Sequence, residues 1–155
     1  MIVRLTPYEL MQAATAGCLR QISALARSLP DRHGFVGLGW SEHIEGACGE
    51  MAVGKATGRY VSGSINTFKT GGDLGSRVQV RTRSRHDYDL IVRRDDRDDD
   101  AFVLVTGRSP SFQVRGWIWG RDAKQERWRA THGNREPAFF VPASDLACID
   151  TMPQG

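Results

Sequence analysis

Apolar residues recur at three- and four-residue spacing near the N-terminus and at two-residue spacing further on, so the chain predicts helices first and strands after. Thr6 reads as an N-cap, Pro7 as the first helical residue and Glu9 as the partner that closes a capping box. Leu5 and Leu10 stand at the two positions of a hydrophobic staple. A helix is expected over residues 7–28, with Leu10, Ala14, Cys18, Ile22 and Leu25 as its packed stripe and Leu29-Pro30-Asp31 ending it. Residues 31–40 hold three glycines and read as a loop. Ser41 then caps a second helix whose Ile44, Ala47, Cys48, Met51 and Lys55 lie near one face, and Gly58 stops it. At about 100° per residue, Glu50 borders that stripe while Glu42 and Glu45 point away from it.

Beyond the second helix the period shortens. Residues 60–66 are short and mixed, and residues 66–75 form a connection carrying Lys69 and the turn Gly71-Gly72-Asp73. Residues 77–83 alternate, with Val78, Val80 and Thr82 on one face and Gln79, Arg81 and Arg83 on the other. Further strands are expected at 89–92, 101–106, 112–119 and 138–141, a short helix at 121–128, and a last turn at Ser144-Asp145-Leu146. The run Asp95-Asp96-Arg97-Asp98-Asp99-Asp100 reads as a solvated hairpin turn, because its acids lack the spacing and the glycine of an EF-hand loop. The fold class is α/β or α+β: one domain, 1–155, with a helical N-terminal segment 7–28 followed by a central mixed β-sheet.

A length of 155 residues with 40% hydrophobic content suits a single core. No apolar run approaches the roughly 20 residues that cross a bilayer, and the N-terminus lacks the apolar stretch of a signal peptide. A cytoplasmic protein with no membrane partner is expected. Cys18, Cys48 and Cys148 are far apart and form no CxxC pair, so they read as buried free thiols. The net charge of +3 comes from a basic side that is almost all arginine, with Lys55, Lys69 and Lys124 the only lysines. Arginine makes bidentate contacts to phosphate, so a nucleic-acid partner is permitted without being demanded.

The chemistry-bearing order is Glu50 on a helix, Asp73 in a tight turn, and Gln79 and Arg81 two residues apart on the polar face of a strand. Carboxylates held together bind a hard divalent cation, Mg²⁺ or Mn²⁺, which polarises a phosphodiester and lowers the pKa of bound water. Gln79 adds a neutral oxygen, and Arg81 can stabilise charge on a pentacoordinate phosphate. The plainer alternatives are a capped helix, an aspartate bracing a glycine turn and a polar sheet face.

These residues resemble the PD-(D/E)XK, or restriction-endonuclease-like, nuclease superfamily. There a helix often supplies a glutamate, a strand or turn the aspartate, and the following strand an acidic residue, a spacer and a lysine; a minority carry glutamine as the second acidic position. Residues 46–55 look like the glutamate helix, Gly71-Gly72-Asp73-Leu74-Gly75 like the aspartate motif, and Gln79-Val80-Arg81 takes the place of the final motif. The close spacing of Asp73 and Gln79 suits a β-hairpin turning back across the site. Residues 101–106, 112–120 and 140–142 look like later strands of small nuclease-like proteins found in phages and prophages. The departure is Arg81, since a guanidinium is a poor general base where the family carries lysine.

The resemblance implies a metal-dependent endonuclease that hydrolyses DNA, with Glu50, Asp73 and Gln79 around Mg²⁺ or Mn²⁺ and Arg81 near the scissile phosphate. The alternative is a catalytically inactive DNA-binding protein or adaptor on the same scaffold. Lys69 can swing into the site or lie on the surface. Arg77, Arg81, Arg83 and Arg85 alternate and share a face if the strand persists, as a DNA-contacting or merely solvated edge. A protein-interaction module would leave those arginines unconverged. His86 reads as a loop histidine, Trp117 and Trp119 as sheet packing, and His132 with Asn134 lacks the context of an HNH motif. So short a chain has little room for a separate recognition domain, which allows a homodimer or a protein partner.

Overall fold

The computed structural model describes residues 1–27, 39–59, 61, 73–75 and 77–153. Most of the expected loop at 31–40, of the mixed stretch at 60–66 and of the connection at 66–75, Lys69 included, lies outside the described residues.

Helix α1 (Pro7–Ala26) begins as expected, with the Thr6 hydroxyl accepting from the Glu9 N–H and the Glu9 carboxylate accepting from the Thr6 N–H. Its packed face differs from the expected stripe. Ala13, Ala16, Gly17 and Gln21 are buried with Leu10 against them, while Ile22 and Leu25 are 51% and 59% exposed. Helix α2 (Trp40–Thr57) passes so close that a Cβ on Gly17 would stand 2.5 Å from Ile44 Cα. At that distance small residues alone fit the crossing, and the large apolar side chains are turned outward.

The cap of α2 is also not the expected one: Gly39, in the left-handed region, precedes the helix with no side-chain bond, and Ser41 lies inside it. Gly58 ends it in a left-handed C-cap, as expected. Glu45 does not point into solvent. Its carboxylate accepts from the N–H and hydroxyl of Ser109 at 2.9 and 2.6 Å, tying α2 to the turn between two strands.

The helices cover one face of a four-stranded mixed sheet. Its order is β1 (Ile2–Arg4), β5 (Ser111–Trp119), β4 (Ala101–Arg108), β2 (Val78–Arg83), with β2 and β4 parallel and the other pairs antiparallel. Strand β1, three residues with one inward side chain, is too short to show alternation and was not expected. Ala101, Val103 and Val105 of β4 face the helices, whereas Phe102 and Leu104 face a second, antiparallel sheet of β3 (Leu90–Arg93), β7 (Ala138–Val141) and β6 (Arg129–Ala130). Burial on both faces explains why β4 reads as a continuous apolar run. The architecture is mixed α/β, with N-terminal helices ahead of a central sheet.

Because β3 and β4 belong to different sheets, residues 95–100 are a crossover and not the hairpin turn expected. Nor is the run simply solvated: Asp98 pairs with Lys124 at 2.7 Å, Asp99 with Arg121 at 3.3 Å, and Asp100 is 3% exposed. The expected helix at 121–128 is a single turn, α3 (Gly120–Ala123), followed by a separate turn at Glu126–Trp128. Among the described residues no helix is long and apolar enough to cross a membrane. Of the thiols expected to be buried, Cys48 is buried, Cys18 partly so, and Cys148 exposed.

Gly17→Ala is expected to lose about 1–3 kcal/mol, since backbone must separate to admit the methyl group. Gly46→Ala, in the same helix pair but facing open space, is expected to gain about 0.5–1 kcal/mol of helix propensity. Urea unfolding of the two variants checks the contrast. Burial and the charge of Glu45 push the Cys48 thiol up to about 11. A thiol reagent at mildly alkaline pH should therefore modify Cys148 first and reach Cys48 only as the protein unfolds.

Candidate active site at the edge of β2

Helix α2 is enclosed between α1 and the sheet, so its residues from Ala47 to Gly54 are buried apart from Met51, and Glu50 among them is 6% exposed. A carboxylate in that position needs a partner. Arg20 of α1 supplies it: Nη1 donates to Oε1 at 2.6 Å and Nη2 to Oε2 at 2.7 Å. Both oxygens of Glu50 are taken by one guanidinium fork.

Asp73 is fixed to the outer edge of β2. The N–H groups of Asp73 and Leu74 donate to Val78 O at 2.7 and 3.3 Å, and the Val80 N–H donates to Asp73 Oδ2 at 2.6 Å. Leu74, 1% exposed, pins this turn into the helix-side core. The expected hairpin is therefore, among the described residues, a turn bonded to the strand edge.

Val78 and Val80 enter the helix-side core, so Gln79 and Arg81 leave β2 on the opposite face. Gln79 Nε2 donates to Asp100 Oδ2 at 3.2 Å. Arg81 Nη2 donates to both oxygens of Asp96 at 3.1 and 3.2 Å, and its guanidinium lies 5.1 Å from the centre of the Phe102 ring. Glu50 thus stands on the helix side of β2, Gln79 and Arg81 on the other, and Asp73 on the edge between them.

The electrostatics link the two sides through Asp73. Burial pushes its carboxyl above the ordinary range, the Val80 N–H pulls it down, and the charges of Arg81 and Arg20 pull it further while Asp100 opposes them. Glu50 is likewise pushed up by burial, lowered by the Arg20 hydrogen bonds and raised again by the charge of Asp73. Buried acids with shifted pKa values in one neighbourhood are the pattern of a working site as well as of a structural ion-pair network.

Among the described residues no group of three or more His, Cys, Asp or Glu side chains is placed to hold a metal ion. Asp100, whose charge acts on Asp73, and Gln79, which is bonded to Asp100, both carry oxygen, the ligand of Mg²⁺ and Mn²⁺.

The arginines do not form a bare basic face. Strand β2 ends at Arg83, so Arg85 falls outside its alternation and pairs with Asp87 at 2.9 and 2.7 Å. Arg83 lies 4.8 Å from the Tyr88 ring centre, and Arg77 is exposed. His86 Nδ1 is 2.9 Å from the buried Thr106 hydroxyl. Trp117 and Trp119 pack edge to face at 5.2 Å, and His132 and Phe140 do the same at 4.5 Å.

Of this neighbourhood the sequence reading does not single out Arg20, and it takes Asp96 and Asp100 only as members of a solvated turn. For Arg20 a signal existed: Ala13, Ala16 and Gly17 mark the face of α1 that meets α2, and Arg20 continues it by one turn. For Asp100 there was none, because nothing local distinguishes it within the acidic run. No family model, no curated protein and no solved structure matches this chain.

Arg20→Met, which strands a buried carboxylate, is expected to cost about 3–5 kcal/mol. The loss should depend on pH. Without the fork, burial holds the Glu50 pKa higher in the folded than in the unfolded chain, where it is about 4.3. A raised carboxyl pKa favours the fold below the unfolded value and loses that advantage as pH rises through the folded value. The deficit against wild type should shrink towards acid pH and be largest near neutrality, as read from unfolding curves across pH.

Proposed function

We propose that the chain is a restriction-endonuclease-like, metal-dependent endonuclease that hydrolyses phosphodiester bonds in DNA at the outer edge of β2. The observation that carries the reading is the setting of Asp73. A half-buried carboxylate is anchored by the Val80 N–H to a strand edge, with Glu50 on one side and Gln79, Arg81 and Asp100 on the other. The order of helix glutamate, turn aspartate and strand Gln79-x-Arg81 agrees with the superfamily pattern, and the mixed sheet with N-terminal helices is compatible with it.

Asp73 and Gln79 would hold the cation by carboxylate and amide oxygens. When bound, a Mg²⁺ or Mn²⁺ ion supplies Lewis-acid polarisation of the phosphate and an activated water. Arg81, a guanidinium, serves as a fixed positive charge beside the phosphate and not as a base. To reach a phosphate it exchanges its Asp96 partner for the substrate. Glu50 acts as a positioning residue: it holds Arg20, whose charge lowers the Asp73 pKa from the helix side.

A second reading, an inactive DNA-binding protein or adaptor on this scaffold, is favoured by the saturation of Glu50 by Arg20 and of Arg81 by Asp96. The two readings part on cleavage of supercoiled plasmid and branched DNA in Mg²⁺, Mn²⁺ or EDTA. The nuclease is expected to cut only with metal, and Asp73→Asn to lose on the order of 100-fold or more while still folded. DNA binding unaffected by EDTA or by Asp73→Asn, with no cutting, would establish the inactive scaffold.

A further inference from the structure

The reading above leaves the cation with a single carboxylate, since Gln79 is neutral and both oxygens of Glu50 are held by Arg20. A divalent ion on such a strand edge needs more negative charge than Asp73 alone provides. The acidic crossover is the place to look for it.

Its members differ sharply in what they do. Asp96 is committed, with the Arg93 N–H at 2.8 Å on Oδ2 and Arg81 on both oxygens. Asp98 and Asp99 are surface partners of Lys124 and Arg121. Asp95 is exposed. Asp100 alone among the five is buried, at 3% exposure.

Its backbone is fixed from both sides, the N–H donating to Arg97 O at 3.3 Å and the C=O accepting from Gly120 N–H at 2.9 Å. Residue 101 faces the helices, so Asp100 shares the opposite face with Gln79 and Arg81. Its Oδ2 accepts from Gln79 Nε2, which directs the remaining amide oxygen of Gln79 elsewhere.

Asp100 Oδ1 is a buried carboxylate oxygen with no hydrogen-bond partner among the described residues. The cation paired with it among the described residues is Arg97, an exposed side chain whose Nε is 3.9 Å away, beyond hydrogen-bond reach. An ionised oxygen left in that state is costly, and a structure retains it where something else completes it.

We infer that Asp100 is the second carboxylate of the cation site, so that Asp73, Gln79 and Asp100 together present oxygens to one divalent ion on the face of β2 opposite Glu50. This rests on the endonuclease reading and assigns its ligands differently from the sequence motif. The acidic position that the strand motif lacks at Gln79 is filled from the start of β4, a neighbour through the parallel pairing of Val78 with Ala101. The hydrogen bond between Gln79 and Asp100 sets the mutual orientation of the two ligands. Arg81 is held by Asp96, and its charge also acts on Asp73.

The test is Mn²⁺ binding to the full chain, by titration calorimetry and by the loss of the free-ion EPR signal, with and without a DNA duplex. Wild type is expected to bind Mn²⁺, and Asp100→Asn to weaken binding roughly tenfold or more. Asp99→Asn, which removes an exposed acid of the same run paired with Arg121, should stay within about twofold of wild type. Asp100→Glu keeps the charge but displaces the oxygens, and should also weaken binding; it serves if Asp100→Asn fails to fold by its thermal transition. Wild-type affinity in both Asp100 variants, alongside loss in Asp73→Asn, would overturn the assignment while leaving the metal site standing. Absence of Mn²⁺ binding by wild type with DNA present would overturn both.

Discussion

Helix α2 touches α1 backbone to backbone and lies against a side chain of β2 at a glycine, and the rest of the arrangement depends on that closeness. At Gly17 the two helices approach within the space a methyl group would need, and at Gly49 the Thr82 side chain occupies the position of a Cβ. With α2 held flush against both α1 and β2, Glu50 is removed from water and within reach of Arg20. Burying a charge at such a crossing is tolerable because its counter-charge comes from the other helix in fork geometry. The pair thereby fixes the rotation of one helix against the other. Further ties act at the ends of α2, where Glu45 holds Ser109 and Lys55 holds Glu9 and Arg4 O.

Strand β2 separates two electrostatic environments. On the helix side Glu50 and Arg20 neutralise one another within an apolar core. On the other side Gln79 and Arg81 meet acids from the crossover between β3 and β4. Asp73 feels both because it sits on the edge, where the strand itself supplies a hydrogen bond through Val80. Low dielectric on either side makes each of these charges act over a longer range than it would in water.

The acidic crossover has a structural duty of its own. It carries the chain from the small sheet to the large one, and its aspartates clamp Arg81, Lys124 and Arg121 as it does so. Its last member runs directly into β4, the strand buried on both faces. A rigid, doubly packed strand is a good base for a ligand, since it limits the freedom of the side chains beside it.

Much of the skeleton was legible in the chain itself. The capping box at Thr6, the Gly58 stop, the alternation at 78–83 and the final strand at 138–141 are local patterns, and local hydrogen bonding and burial realise them. Glu50, Asp73, Gln79 and Arg81 were likewise visible as residues of interest. The packed face of α1 was misjudged, because hydrophobicity favours Ile22 and Leu25 whereas the helix crossing demands Gly17 and Ala13. The aspartate run was misjudged because its neighbours in space, Arg81, Lys124 and Arg121, are remote in sequence. The sequence by itself determined the elements, their order and the chemical inventory, since periodicity and caps act within a few residues. The tertiary structure alone decided that Arg20 would hold Glu50, that β2 would part Glu50 from Gln79, and that Asp100 would be the buried acid: pairing across sheets and helices is set by how layers pack.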